Sequence, residues 1–490
     1  MIDYSASFQL IAPELVLAVS GLILLLVSAF VGDKSARAVH ILAVVALGAA
    51  FALVLPVALY GAAGPDTLAF ADLFRADAFA AFAKLLIFAA SAAALIVAPR
   101  FLSAAAAKRP EYAVLVIFAT LGMCIMVSAN DLITLYMGLE LNSLAAYVLA
   151  AFLRDNVRSA EAGLKYFVLG ALASGILLFG MSLTYGFAGT TSFEGIALAI
   201  SGGLTTGQLF GLTFVLAGLA FKISAAPFHM WTPDVYEGAP TPTTMFFASA
   251  PKVAAIALLA RVSLEAFGSQ ALAWQQIVIF AALLSIVIGA LGAIGQTNIK
   301  RLLAFSSINN VGFILIGLAV GTAAGASAMM VYLAIYTVMT IGSFVAVMLM
   351  RDADGNQLEG ISDLAGLSVT RPVLAWCMLA LMFSLAGIPP LFGFWGKFVV
   401  FQAAVEADLL ALAAIGIAAS VIGAFYYIKI VKVMFFDEPA DTIKGDGDTP
   451  HWALLAICTL LISPLGYLLI GPLGNLADMA AASLAMIVPA

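Results

Sequence analysis

Charge is scarce in this chain. Asp, Glu, Lys and Arg make up 10% of 490 residues, and histidine and cysteine occur three times each. At 64% hydrophobic, with a mean hydropathy of +1.12, such a chain cannot stay soluble around one globular core. Cys124, Cys377 and Cys458 fall in separate apolar stretches without C-x-x-C spacing, so neither a disulfide framework nor an iron–sulfur or zinc site is indicated. No G-x-G-x-x-G lies between a strand and a helix, there is no Walker loop, and no mid-span histidine pair offers itself to haem. The longest polar stretch, Asp437 to Pro450, is an acidic Gly- and Pro-containing loop too short for a redox domain.

What the chain does have is long apolar runs. Each crossing needs roughly 20 apolar residues, and about fourteen such spans are expected, beginning near positions 11, 38, 76, 112, 131, 162, 208, 241, 274, 301, 326, 372, 407 and 451. The class is therefore an all-α polytopic membrane protein. The first span is expected to stay in place, because the residues before it carry Asp3 and no base, unlike a signal peptide.

Loop charges suggest an orientation. With the N-terminus outside, Lys34, Arg37, Arg100, Lys108, Arg109, Arg154, Arg158, Lys300, Arg301, Arg351, Arg371, Lys429, Lys432 and Lys444 collect on the inner side, against Arg75 and Arg261 outside. Both termini then lie outside. The turn between spans seven and eight departs from the pattern, with Asp234 and Glu237 and no base.

Two spans are interrupted at their middles. Span seven reads Phe221-Lys222-Ile223-Ser224-Ala225-Ala226-Pro227-Phe228-His229, and span twelve reads Leu385-Ala386-Gly387-Ile388-Pro389-Pro390-Leu391. Proline removes a donor and clashes with the preceding turn. In lipid the freed carbonyls need a protein-enclosed or hydrated cavity. Five spans separate the breaks, so they cross in opposite directions, as in an inverted repeat. Spans four to eight (111–268) and nine to thirteen (269–436) are the candidate repeats. Spans one to three (1–110) precede them, and the acidic loop, last helix and tail (437–490) complete a single membrane domain.

Lysines stand inside these apolar stretches: Lys84, Lys165, Lys222, Lys252 and Lys397, together with Glu140. An ammonium at bilayer depth must snorkel, pair or face water, which makes it a candidate for an ion path. Counted along the helix, Glu140 lies about 14 Å past Asp131 and Lys252 about 16 Å past Thr241, near the middle of a core of roughly 30 Å. Lys222 and Lys397 fall at similar depth beside the breaks. A row at one depth suits protons moving laterally between two half-channels. Motion of Glu140 towards or away from Lys222 would load or release a proton.

Structural ion pairs between packed helices are the competing reading for Glu140, Lys222, Lys252 and Lys397. Lys165 follows Glu161 by one turn, so helix pairing competes with a relay role. Lys84, seven residues past Asp77, reads as snorkelling outward, and Glu14 as a helix-start acid. His229 beside the first break is either a relay or a satisfied helix-end residue. Trp231, Trp274 and Trp452 near span ends suit an aromatic belt.

The run from Ala220-Phe221-Lys222 through Pro227-Phe228-His229-Met230-Trp231-Thr232-Pro233-Asp234-Val235-Tyr236-Glu237-Gly238-Ala239-Pro240-Thr241-Pro242 resembles the antiporter-like membrane subunits of respiratory complex I, the NADH:quinone oxidoreductase. Its continuation, Ser249-Ala250-Pro251-Lys252-Val253-Ala254, narrows the resemblance to one of the three large subunits of that family. Further matches are Met137-Gly138-Leu139-Glu140-Leu141, Leu164-Lys165-Tyr166-Phe167, Gln296-Thr297-Asn298-Ile299-Lys300-Arg301 through Ser306-Ser307-Ile308, and Gly387-Ile388-Pro389-Pro390 with Gly396-Lys397.

The resemblance implies fourteen helices, two inverted five-helix repeats with helices seven and twelve broken, and proton carriage by Glu140, Lys222, Lys252, Lys397 and Lys165. It also implies a place in a membrane arm among an antiporter-like neighbour, small membrane subunits and lipid, with no nucleic acid. FMN and iron–sulfur clusters would belong to partner subunits, quinone would be the substrate of the complex, and the location would be the bacterial inner membrane. A cation/proton antiporter subunit is the alternative, and a scaffold for the membrane arm is a second one.

Overall fold

The structure, a computed structural model, describes residues 4–61 and 67–484. A short helix α1 (Tyr4–Leu10) leads into α2 (Ala12–Val31), which a 3-10 turn (Gly32–Ser35) joins to α3 (Ala36–Tyr60). A two-residue hairpin pairs Leu68 with Arg75 and Ala69 with Phe74 before α4 (Ala78–Ala104). Next come α5 (Glu111–Ser128), α6 (Leu132–Ala150), α7 (Val157–Ala188), the short α8 (Phe193–Ala199) and α9 (Thr206–Ile223). After a break follow α10 (Trp231–Gly238), α11 (Thr241–Ala248) and α12 (Ala250–Arg261), which a turn of π-helix (Val262–Ala266) extends. The second half holds α13 (Ala271–Ile294), α14 (Ile299–Ala319), α15 (Ala323–Met348), the single turn α16 (Leu367–Thr370), and α17 (Pro372–Ala386). Past the second break run α18 (Phe392–Glu406) and α19 (Leu410–Phe436), then α20 (Thr449–Ile462) and α21 (Ile470–Ala482).

Among the described residues, eleven helical segments are long and apolar enough to cross a membrane, or twelve if the pair Thr449–Ile462 and Pro464–Ala482, bent by 66°, is one span. One of the eleven is the 49-residue stretch Ala12–Tyr60, yet α2 and α3 pack against each other, so that stretch is a hairpin. The expected starting points fall within a few residues of helix starts, because polar side chains there accept the orphan amides of the first turn. Asp77 accepts from Ala80, Asp131 from Ile133 and Thr134, Asn156 from Arg158 and Ser159, and Asn298 from Lys300 and Arg301.

The core is built around α11, α12, α14 and α15, almost every residue of which is buried by protein. Such helices have no lipid face, so their polar residues point at other helices. α2 and α3 are largely exposed by contrast, with Leu22, Ile23, Leu26 and Val45 facing outward. Packing in the two halves corresponds: α5 lies on α6 as α13 on α14, α6 on α7 as α14 on α15, and α5 on α12 as α13 on α19.

Two tryptophans depart from the expected belt. Trp274 is fully buried, and Trp231 stacks on Tyr166 with centroids 4.5 Å apart. The indole of Trp231 is held inside by its donation to the Phe221 carbonyl at 3.1 Å. In the tail, Asp478 of α21 accepts from Ser327 of α15 at 2.5 Å, and residues 485–490 lie outside the described ones.

Candidate proton-transfer site

Both expected breaks are present, and each leaves a helix end open inside the protein. α9 ends at Ile223, where Ser224 turns left-handed (φ 61), and a cis Ala226–Pro227 bond follows. α17 ends at Ala386, where Gly387 is left-handed (φ 83), followed by a cis Pro389–Pro390 bond. Most freed backbone groups find local partners, as buried polar groups must. Ala225 donates to Ala220 at 2.9 Å and Ala226 to Ser285 Oγ at 2.8 Å; Ile388 donates to Phe383 at 3.0 Å and Gly393 to Ser384 Oγ at 3.0 Å.

The last carbonyl of each broken half-helix is taken by a lysine. Lys252 Nζ donates to the Ile223 oxygen at 2.8 Å, and Lys397 Nζ donates to the Ala386 oxygen at 3.1 Å. A helix C-terminus carries partial negative charge, so an ammonium is at home there. Lys252 is 1% and Lys397 6% exposed, which removes bulk water as the alternative partner. Lys397 also donates to Ser420 Oγ at 3.3 Å and sits 4.4 Å from the Phe313 ring centroid. It lines a cleft of about 650 Å³ between α18 and α19.

Lys222, near the end of α9, meets two hydroxyls: Ser143 of α6 at 2.8 Å and Ser174 of α7 at 3.2 Å, with the Tyr147 ring 5.9 Å away. Glu140 is one turn before Ser143 on α6, and one of its oxygens, Oε1, is buried without a hydrogen-bond partner. Glu140 and Lys222 form no direct ion pair among the described residues; Lys222 reaches α6 at Ser143, one turn on from Glu140. Close packing makes this possible, since a Cβ on Gly218 would come within 2.6 Å of Leu177 and one on Gly170 would strike the Tyr147 ring.

Lys165 is not brought into this row. It pairs with Glu161 at 2.8 Å and Asp234 at 2.7 Å, and its side chain is 41% exposed. Asp234 also receives Arg301 at 2.6 Å, and Arg301 reaches Glu237 at 3.0 Å. Those contacts explain the acidic turn that broke the loop-charge pattern: its counter-charges come from α7 and α14. His229 is half-buried in the turn between α9 and α10 and enters no ion pair among the described residues.

Lys84 corrects the expectation of snorkelling. It is 3% exposed and lies 2.7 Å from Glu14. Sequence spacing could not show this pair, because its partners sit on different helices.

A polar network went unread in the sequence. Tyr332 OH donates to Asn310 Oδ1 at 2.6 Å, Asn310 Nδ2 donates to Tyr427 OH at 3.3 Å, and Ser306 and Tyr427 hydroxyls are 2.5 Å apart. Ser307 and Tyr336 hydroxyls meet at 2.7 Å. Tyr427 stands two turns from Ser420 on α19, so this network of α14, α15 and α19 begins about 10 Å along the helix from the hydroxyl that meets Lys397, and α15 packs on the span carrying Lys252. The available signal was the polar run Ser306-Ser307-Ile308-Asn309-Asn310 inside an otherwise apolar span. Among the described residues, no group of three or more His, Cys, Asp or Glu could hold a metal ion.

Residues 129–423 match the family model described as NADH:quinone oxidoreductase/Mrp antiporter, which sets the class: a membrane subunit of antiporter type. The chain is 68% identical over 482 residues to NADH-quinone oxidoreductase subunit N of Erythrobacter litoralis, covering 98% of this chain and 99% of that relative. It belongs to the NADH-quinone oxidoreductase subunit N family. Among solved structures, a chain of respiratory complex I from Thermus thermophilus with bound aureothin is 31% identical with a TM-score of 0.80, covering 95% of this chain and 99% of that one. A chain of the Mrp complex from a Dietzia species shares the fold, with a TM-score of 0.83 at 24% identity and 98% coverage of each.

Proposed function

We propose that this chain moves protons across the membrane along Glu140, Lys222, Lys252 and Lys397, as a membrane-arm subunit of NADH:quinone oxidoreductase. The observation that carries the reading is the pair of lysines closing the two broken helices. While charged, Lys252 and Lys397 satisfy the Ile223 and Ala386 carbonyls. A neutral amine loses the favourable interaction with the helix end. Protonation is thereby tied to the state of the break, and an electrostatic push from a neighbour changes both. The hydroxyls of Ser143 and Ser174 hold the Lys222 ammonium without fixing it by a countercharge, so it can give its proton up. The network of Asn310, Tyr332 and Tyr427 supplies hydrogen-bonding groups between the Lys397 region and the core.

Fourteen passes and two inverted repeats fit this reading. α2 and α3 count as two passes, α17 and α18 as one broken pass, and the matching packing of 111–268 and 269–436 supports the symmetry. His229, half-buried beside the first break, is assigned a relay role in the same path. Lys165 is assigned to binding α7 to α10. FMN, iron–sulfur clusters and quinone chemistry lie in partner subunits, with an antiporter-like subunit and small membrane subunits as neighbours. The chain resides in the bacterial inner membrane with both termini on the periplasmic side.

The stand-alone antiporter reading is weaker. Identity to the curated subunit N reaches 68% over nearly the whole chain, against 24% to the Mrp chain. Native-gel separation of mildly solubilised membranes tests the assignment: NADH-dependent quinone reductase activity is expected to migrate with this chain. Activity migrating elsewhere, with sodium-dependent transport following the chain, overturns it.

A further inference from the structure

A second buried ionic site lies outside the row, in the helices before the repeats. Glu14 is in the first turn of α2 and is 5% exposed; Lys84, two turns into α4, is 3% exposed. Glu14 Oε1 is 2.7 Å from Lys84 Nζ, an ion-pair distance, and neither Glu14 oxygen has a hydrogen bond of good geometry among the described residues. Lys84 also lies 4.9 Å from the Phe74 ring centroid. Asp77, the other carboxylate near this end of α4, is already engaged by Ala80 N at 2.8 Å and by one guanidinium nitrogen of Arg261, which donates to its two oxygens at 2.8 and 2.9 Å.

Lys84, the member of the pair that lines a cavity, is reached from the protein surface, and Glu14 is buried beside it. A cavity of about 130 Å³ where α2 and α4 begin and α3 ends is lined by Gln9, Pro13, Val57, Ala76, Asp77 and Lys84. The pair is also level with the row. Asp77 and Arg261 are bound together, α4 runs from one and α12 towards the other, and these helices pack on each other. At 1.5 Å per residue, Lys84 lies about 10 Å and Lys252 about 13 Å from that junction. A buried ion pair is a poor way to gain stability, since apolar residues of similar volume do as well or better.

We propose that Glu14 and Lys84 form a further proton-exchange site, continuing the lysine row beyond Lys252 to the cavity at the α2–α4 end. Lys84 Nζ gives a proton to the Glu14 carboxylate, leaving a neutral amine and a neutral acid. The acid then releases that proton and the amine takes up the next one, so charge and protons balance over a cycle. The inference rests on the reading that this chain carries protons.

The test uses the assembled complex in sealed membrane vesicles and reads protons moved per NADH oxidised. Lys84→Arg keeps a cation beside Glu14 but cannot deprotonate. The expected result is an assembled complex with a lower proton-to-NADH ratio; an assembled complex with the wild-type ratio overturns the proposal. Where Lys84→Arg does not assemble, the neutral pair Glu14→Gln/Lys84→Met is read in the same way. Where neither assembles, infrared difference spectra of the wild-type complex on adding NADH decide. A protonated-carboxyl band that shifts in Glu14→Asp supports the site, and no such band overturns it. Lys222→Met is measured alongside. If it too leaves the ratio unchanged, the proton-carrying reading of the chain falls; if only the Lys84 and Glu14 variants are silent, this inference falls alone.

Discussion

Lys252 on α12 donates to the carbonyl of Ile223, the last residue of α9, at 2.8 Å, so a charge in one span completes a helix that breaks in another. The same relation recurs between Lys397 and Ala386. In each case the lysine satisfies an acceptor that would otherwise be buried and unpaired, which costs about 1–3 kcal/mol. On the proposed reading, the charge on each lysine and the order of the neighbouring break are coupled through the partial negative charge of the helix end.

Lys252→Arg separates these two roles. The guanidinium retains a donor for Ile223 but does not release a proton. The complex is expected to assemble and oxidise NADH while proton translocation is lost, as checked by NADH-driven acidification of membrane vesicles. Lys252→Met should lose translocation and also loosen the break, seen as faster proteolysis near Ser224.

Ser143→Ala and Ser174→Ala each remove one hydroxyl from the Lys222 ammonium. Each is expected to cost about 1.5–3 kcal/mol of interaction with the charged form. Translocation should fall partially in either single variant and further in the double one. Equal, full translocation in all three would show that Lys222 needs neither hydroxyl.

Gly387→Ala tests the second break. Its φ of +83° disfavours a side chain, and an added Cβ would come within 2.9 Å of Lys397 Cδ. Backbone strain of about 1–2 kcal/mol is expected together with displacement of Lys397. The reverse substitution at the first break, Ser224→Gly, relieves a left-handed residue (φ 61) and should leave translocation intact. Parallel measurements of assembled complex and of acidification distinguish these outcomes.

Asp77→Ala strips Arg261 of its bidentate partner. Arg261 is fully buried and otherwise depends on Glu265 and the Val127 carbonyl. Breaking such a buried pair costs about 3–5 kcal/mol. Far less assembled complex is expected in the membrane, quantified on a native gel, because the end of the span carrying Lys252 loses its anchor to α4.

Lys165→Gln should be mild by comparison. Its pairs with Glu161 and Asp234 are part-exposed, and such pairs contribute about 0–1 kcal/mol. A smaller loss of acidification than in Lys222→Met is expected. Equal losses would return Lys165 to the proton path.

The sequence by itself determined the medium, the approximate helix starts, both breaks and the lysines Lys84, Lys222, Lys252 and Lys397 inside the spans, but not the burial of Lys300 or the part-exposure of Lys165. Hydropathy, proline and isolated charge are local properties, and a bilayer amplifies each of them: a lone lysine in an apolar span is costly wherever it points. The tertiary structure decided which groups those charges meet. Lys84 looked like a snorkelling residue until α2 placed Glu14 beside it, and Lys165, open in the sequence between helix pairing and a relay, gains Asp234 of α10, which Arg301 of α14 also reaches, as a partner beyond Glu161. Ser306, Asn310, Tyr332 and Tyr427 were ordinary polar residues until three helices turned them towards one another. Partners on separate helices leave no periodicity in a single chain, because a hydrogen bond across a helix interface depends on rotation and crossing angle, which packing alone sets.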